Sequence, residues 1–101
     1  MAKITVANKK IVYKKLLRKQ EIALDDIVWA YRQQQDAETT FGGKSINLVI
    51  NRVIVQDKEG KKTAFPFDRT DAAKKMLDEI AAAAPEIAIG YTEENKEKYE
   101  A

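Results

Sequence analysis

Seven cations and no carboxylate fall within the first twenty residues: Lys3, Lys9, Lys10, Lys14, Lys15, Arg18 and Lys19. Lysine and arginine side chains only donate hydrogen bonds, and they repel one another until an anion sits between them. If the cations from position 9 onward converge, the chemistry they offer is recognition of phosphate or carboxylate. Lys9, Lys10, Lys14, Lys15, Arg18 and Lys19 are therefore the candidate anion-binding residues. The other end of the chain has the opposite sign, with Glu86, Glu93, Glu94, Glu97 and Glu100 against Lys96 and Lys98. That asymmetry steers an anionic partner to the N-terminal end, draws the two ends of the chain together, or merely solvates two surfaces. A net charge of +2 does not choose among the three.

Catalysis has little to work with. The chain has no histidine and no cysteine, which removes the commonest general base, the usual nucleophile–base pairs, the usual zinc ligands and every disulfide. Ser45 is its one serine and has no base to activate it. Asp25-Asp26 and Glu93-Glu94 are adjacent acids in turn and helix-start contexts, where structural roles are the rule. Gly43-Lys44-Ser45 imitates the end of a phosphate-binding loop, but Glu38 stands where the pattern needs its first glycine, and 46–50 reads as strand instead of the required helix. Residues 57–60 lack the ligand series of a calcium loop. Trp29 and Tyr31 would make a stacking platform for single-stranded nucleic acid if exposed; the apolar company in 27–31 favours core packing. No catalytic residue, metal ligand or cofactor is assigned, and a non-enzymatic protein is expected.

The elements that must position the cations come from hydrophobic periodicity. One hundred and one residues with a 45% hydrophobic share suit a single domain, 1–101, with one core. Residues 70–84 have the clearest period. Ala73, Met76, Leu77, Ile80, Ala81 and Ala84 form one apolar stripe, and Asp71, Lys74, Lys75, Asp78 and Glu79 take the other face. Asp68 or Thr70 is placed to cap this helix, and Pro85 to stop it. Before it the chain reads as short strands: 3–6 and 11–13 about a turn at 8–10, then 22–24, 27–35, 45–56 and 62–67. The 14–21 segment fits either a continued strand or a helical turn. Residues 36–44 read as a loop ending in Gly42-Gly43. The alternation of 45–56 changes phase between Ile46, Leu48, Ile50 and Val53, Val55, which implies a bulge or turn near Asn51-Arg52. Asp57-Lys58-Glu59-Gly60 is a hairpin turn, and Pro66 puts the 62–67 strand at an edge or ends it there. Met76, Leu77 and Ile80 are expected to bury against Trp29, Ile27 and the 46–55 strands. After Pro85, 86–91 is extended, and Thr92 caps a short polar helix. No stretch approaches the length of a membrane span, and no apolar signal core follows Met1; a cytoplasmic protein is expected.

Meandering strands closed by one amphipathic helix resemble the pleckstrin-homology-like (PH-like) fold. The details are most similar to small bacterial PH-like domains: LDDIVWAY at 24–31, a strand–DKEGKK–strand hairpin, and AAKKMLDEI at 72–80, followed by the tail PEIAIGY at 85–91. The resemblance implies an α+β, mainly β architecture, a bent antiparallel sheet or partly open barrel capped by the 70–84 helix. It also implies an interaction or assembly module working through protein contacts or self-association. In lipid-binding members of that fold a basic β1–β2 region holds phosphorylated headgroups, which corresponds to the lysine cluster here and implies weak contact with an anionic membrane or nucleic acid.

Overall fold

A computed structural model of the chain describes residues 4–67 and 69–100, the side chains of 35–41 and 44–49 excepted. Its architecture is α+β and mainly β, with two sheets, two α-helices and no closed barrel among the described residues. Strands β1 (Thr5–Ala7), β2 (Lys10–Lys15) and β3 (Arg18–Ala23) form an antiparallel meander. A 3-10 turn at Leu24–Asp26 leads into the second sheet. That sheet has the order β6-β5-β4-β7, from β4 (Ile27–Phe41), β5 (Lys44–Asp57), β6 (Lys62–Phe67) and β7 (Ala88–Ile89), the last parallel to β4. Helix α1 is Thr70–Ala83 and helix α2 is Glu93–Glu100.

The core lies where the meander, the inner face of the second sheet and α1 meet. Ile11 and Leu24 come from the first side, Ile27, Ala30, Val53, Val55 and Phe65 from the second, and Ala73, Met76 and Ile80 from the helix. Tyr13 of β2 packs edge-on against Phe65 of β6, with centroids 4.9 Å apart, and so ties the two sheets together. Trp29 lies on the opposite face, in a second cluster with Tyr31, Ile54 and Tyr99. The expectation that α1 packs on Trp29 is thus corrected. Adjacent strand residues point to opposite faces, so Ala30 and Val53 meet α1 while Trp29 and Ile54 meet α2.

The same geometry corrects the expected bulge at Asn51-Arg52. Pairing there is regular (Gln34 with Asn51, Gln33 with Arg52), and the irregularity in the β4–β5 pairing falls between Ile27 and Trp29. Val53, Val55 and Ile54 are all buried because both faces of the sheet are covered at this end; alternation failed without any slip of register. The loop expected at 36–44 is also strand. β4 runs on to Phe41, Gly42 and Gly43 turn with φ of +60° and +79°, and β5 starts at Lys44. Two residues with positive φ make the tight turn that matches strand twist, so no longer loop is needed. The strands before α1 are therefore not all short.

Other expectations hold. Asp57 Oδ1 accepts from the backbone N–H of Glu59 and Lys61, both at 2.9 Å, and closes the 57–60 turn with Gly60 at φ +88°. Pro66 sits in β6, at the sheet edge. The Asn95 N–H donates to Thr92 Oγ1 at 3.1 Å, capping α2. Helix α1 ends one residue before Ala84, ahead of Pro85. Its N-cap is Arg69 without a side-chain cap; Thr70 instead donates its hydroxyl to Asn51 Oδ1 at 3.3 Å, and Asp68 lies outside the described residues.

Candidate functional site

The ambiguous 14–21 segment resolves as strand, turn, strand. β2 and β3 pair without slip from Lys10–Ala23 to Lys15–Arg18, leaving Leu16 and Leu17 as a two-residue turn. The register follows from the flanking apolar residues: Ile11 faces Ile22, and the two share the core side of the ribbon with the next such pair, Tyr13 and Gln20. Beyond Tyr13 and Gln20 every residue is exposed.

This fold-back gathers part of the candidate set. Lys14 stands directly opposite Lys19, and Lys15 opposite Arg18, so like charges face each other across the ribbon on both of its faces. Directly opposed like charges destabilise a strand pair, where an opposite-charge pair would contribute roughly 0.2–1 kcal/mol. Among the described residues no carboxylate pairs with Lys14, Lys15 or Arg18, and Lys19 has only Glu21, at 3.7 Å. Lys9 stands apart from them, and Lys10 meets Lys19 only through the Glu21 carboxylate that both approach. Lys9 and Lys10 lie at the β1–β2 turn, at the other end of β2, so that Lys10 is about 13 Å along the strand from Lys14. Lys10 pairs with Glu21 at 3.7 Å. The hairpin tip thus holds four of the six candidate residues, and Lys9 and Lys10 are set back at the other end of β2.

Leu16 and Leu17 were missed by sequence reasoning. They are 89% and 98% exposed, with φ of +52° and +68°. The left-handed region costs a residue other than glycine or asparagine roughly 1–3 kcal/mol. The β1–β2 turn uses the same conformation with Asn8 at its first position, φ +54°, a residue that tolerates it. The β2–β3 turn therefore carries two strained, solvated leucines where Asn-Gly would fit better.

A second feature lies on the outer face of the larger sheet. An open cleft of about 460 Å³ is lined by Tyr31, Lys62, Tyr91 and Glu100, among others. Trp29 is fully buried beneath it; its Nε1–H donates to the Gly90 carbonyl at 2.8 Å, and the Tyr91 and Tyr99 rings stack on it at 5.6 and 5.7 Å. Trp29 and Tyr31 are thus core residues, as their apolar neighbours indicated. Lys62 Nζ reaches Glu100 Oε1 at 2.9 Å and lies 5.4 Å from the Trp29 ring centre, filling the approach to the rings. The hydrogen bond to Glu100 raises the Lys62 pKa above the ordinary lysine value, and the hydrogen bond from Lys62 lowers that of Glu100. These charges satisfy one another, so the cleft offers an incoming ion less than the hairpin tip does.

Among the described residues no helix is long and apolar enough to cross a membrane. No curated protein and no solved structure matches the chain. A protein-family profile does match it over residues 1–99, and the chain belongs to that family, described as Domain of unknown function (DUF6709).

Proposed function

We infer that this protein is a non-enzymatic binding module that docks onto a phosphate-bearing surface through the β2–β3 hairpin. The observation that carries the reading is the pairing of Lys14 with Lys19 and of Lys15 with Arg18 at an exposed tip, with Glu21 the one carboxylate that pairs with any of the four among the described residues. Such an arrangement is held against its own repulsion by the strand register and is relieved when an anion arrives. The meander followed by α1 supports a PH-like classification, and the resemblance, with the absence of cysteine, supports a bacterial cytoplasmic setting. Reversing the four charges (Lys14→Glu, Lys15→Glu, Arg18→Glu, Lys19→Glu) should abolish binding to anionic vesicles or nucleic acid while leaving thermal unfolding nearly unchanged. Wild-type binding should fall steeply with salt. Equal binding by the reversed variant, or none by the wild type at low salt, would sink the reading.

A second reading, self-association, rests on the β4–β5 ribbon. β6 pairs with β5 only over residues 51–56, and β7 with β4 only at Trp29 and Ala30. Over 33–50 the two strands pair only with each other among the described residues, and both outer edges are open to another strand.

A further inference from the structure

Resting on the docking reading, we propose that the β2–β3 tip is a wedge for an anionic lipid bilayer. Leu16 and Leu17 enter the boundary between headgroups and acyl chains, while Lys14, Lys15, Arg18 and Lys19 contact the headgroup phosphates. Three observations converge on lipid. The first is the pair of leucines itself, which leads the ribbon and is almost wholly solvated at 89% and 98% exposure; in aqueous solution two such side chains gain nothing. The second is their backbone. Both hold positive φ, a conformation better served by asparagine and glycine, so leucine is present here at the expense of the turn. The third is the placement of the cations. Lys14 and Lys19 share one face of the ribbon, and Lys15 and Arg18 the other. A nucleic acid laid along one face would meet one pair and leave the leucines in water. An end-on approach to a flat surface brings the cations of both faces within reach of it and puts the leucines ahead of them.

The dimensions agree with that approach. Successive strand residues rise about 3.3 Å, so the turn stands roughly 3–7 Å beyond the two charge pairs. Apolar groups of interfacial proteins bury about 5–10 Å into the headgroup and acyl boundary. Lysine and arginine stems reach back from that depth to the phosphates. Exposed residues begin directly after Tyr13 and end before Gln20, where the ribbon is anchored through Tyr13 on Phe65. Insertion therefore displaces no core contact.

The test is the variant Leu16→Asn/Leu17→Gly, which removes the apolar tip and supplies the preferred turn residues, so that lost binding cannot be put down to a lost hairpin. Both proteins are co-sedimented with phosphatidylcholine vesicles, with and without roughly one-third phosphatidylserine. Thermal unfolding is followed alongside. The wild type should bind the anionic vesicles and retain a residue of binding at high salt. The variant should melt no lower than the wild type, lose roughly 30-fold in partitioning, and be released completely by salt. Equal partitioning and equal salt sensitivity of the two proteins would overturn insertion while leaving docking intact. Binding to mixed-sequence nucleic acid but not to the vesicles would likewise overturn the lipid assignment and keep the docking surface. A concentration-dependent mass abolished by the variant, without vesicle binding, would assign the leucines to a second copy and overturn the proposal. If the wild type binds neither anion, both readings fall.

Discussion

Ile80 is fully buried where α1 meets the core, whereas Leu77, on the same apolar stripe, is half-buried. The difference fixes where a cavity would hurt. Ile80→Ala should cost about 2–5 kcal/mol in chemical unfolding, since the β-sheet around it cannot collapse to fill the space. Leu77→Ala should cost less, because water already reaches part of that site. A loss below roughly 0.5 kcal/mol for Ile80→Ala would mean that α1 does not organise the core. The stripe 73–84 was legible because helical spacing alone specifies it. How deeply each member sinks was not, because that depends on which strands arrive opposite. Leu16 and Leu17 were illegible for the converse reason. Neither residue carries a turn signal, and the hairpin is imposed by Ile11 facing Ile22 in the flanking strands. The approximate mirror symmetry of Ile11, Tyr13 and Gln20, Ile22 about positions 16 and 17 was the one available clue.

Helix α2 has no buried residue of its own, and its hold on the sheet is polar and aromatic. Tyr99 stacks on Trp29, Gln56 Nε2 donates to the Tyr99 carbonyl at 3.0 Å, and Glu100 accepts from Lys62 Nζ at 2.9 Å and from the Tyr91 hydroxyl at 3.1 Å. The Lys62 hydrogen bond, then that of Tyr91, holds the Glu100 carboxyl below the ordinary carboxylate value. A folded-state pKa that is lowered contributes stability above the unfolded value and loses it as pH falls through the folded one. Lys62 is raised chiefly by its hydrogen bond to Glu100, and Tyr91 is raised by burial and then by Glu100. Those two contributions are complete below the unfolded values and are lost as pH rises through the folded ones, above about 10. Docking of α2 should therefore be strongest between these limits. Trp29 is the sole tryptophan, so its fluorescence reports the helix directly. Emission should change on acidification below the normal carboxylate range, and Glu100→Gln should remove that acid step. An identical acid transition in the variant would assign it to other carboxylates. Thr92 announced this helix in the sequence. Its partner surface was not announced, because Trp29, Ile54 and Gln56 alternate with residues of the main core and nothing local says that both faces are covered.

At the scale of the whole molecule the ribbon dominates the shape. The radius of gyration is 14.9 Å and the extents are 48 × 35 × 23 Å, against about 13 Å for a compact chain of this length. A two-stranded ribbon is marginal by itself in water, and three or more strands are needed for independent stability. The part of β4 and β5 that β6 and β7 leave unpaired gains that third strand most simply from a second copy, edge to edge. Equilibrium sedimentation should accordingly show a mass that rises with concentration. Removing the four register pairs 36–39 and 46–49, while keeping Thr40 and Ser45 beside the Gly42-Gly43 turn, preserves the facing of every remaining residue. This shortened chain should keep the unfolding midpoint of the full protein, since every residue of the two core clusters among the described side chains lies outside the deletion. It should also remain a monomer at every concentration. The same shortened chain should bind anionic vesicles as the full one does, because the basic hairpin belongs to the other sheet. A single monomer mass for the full chain at the highest concentration would remove self-association and leave the ribbon as a free arm.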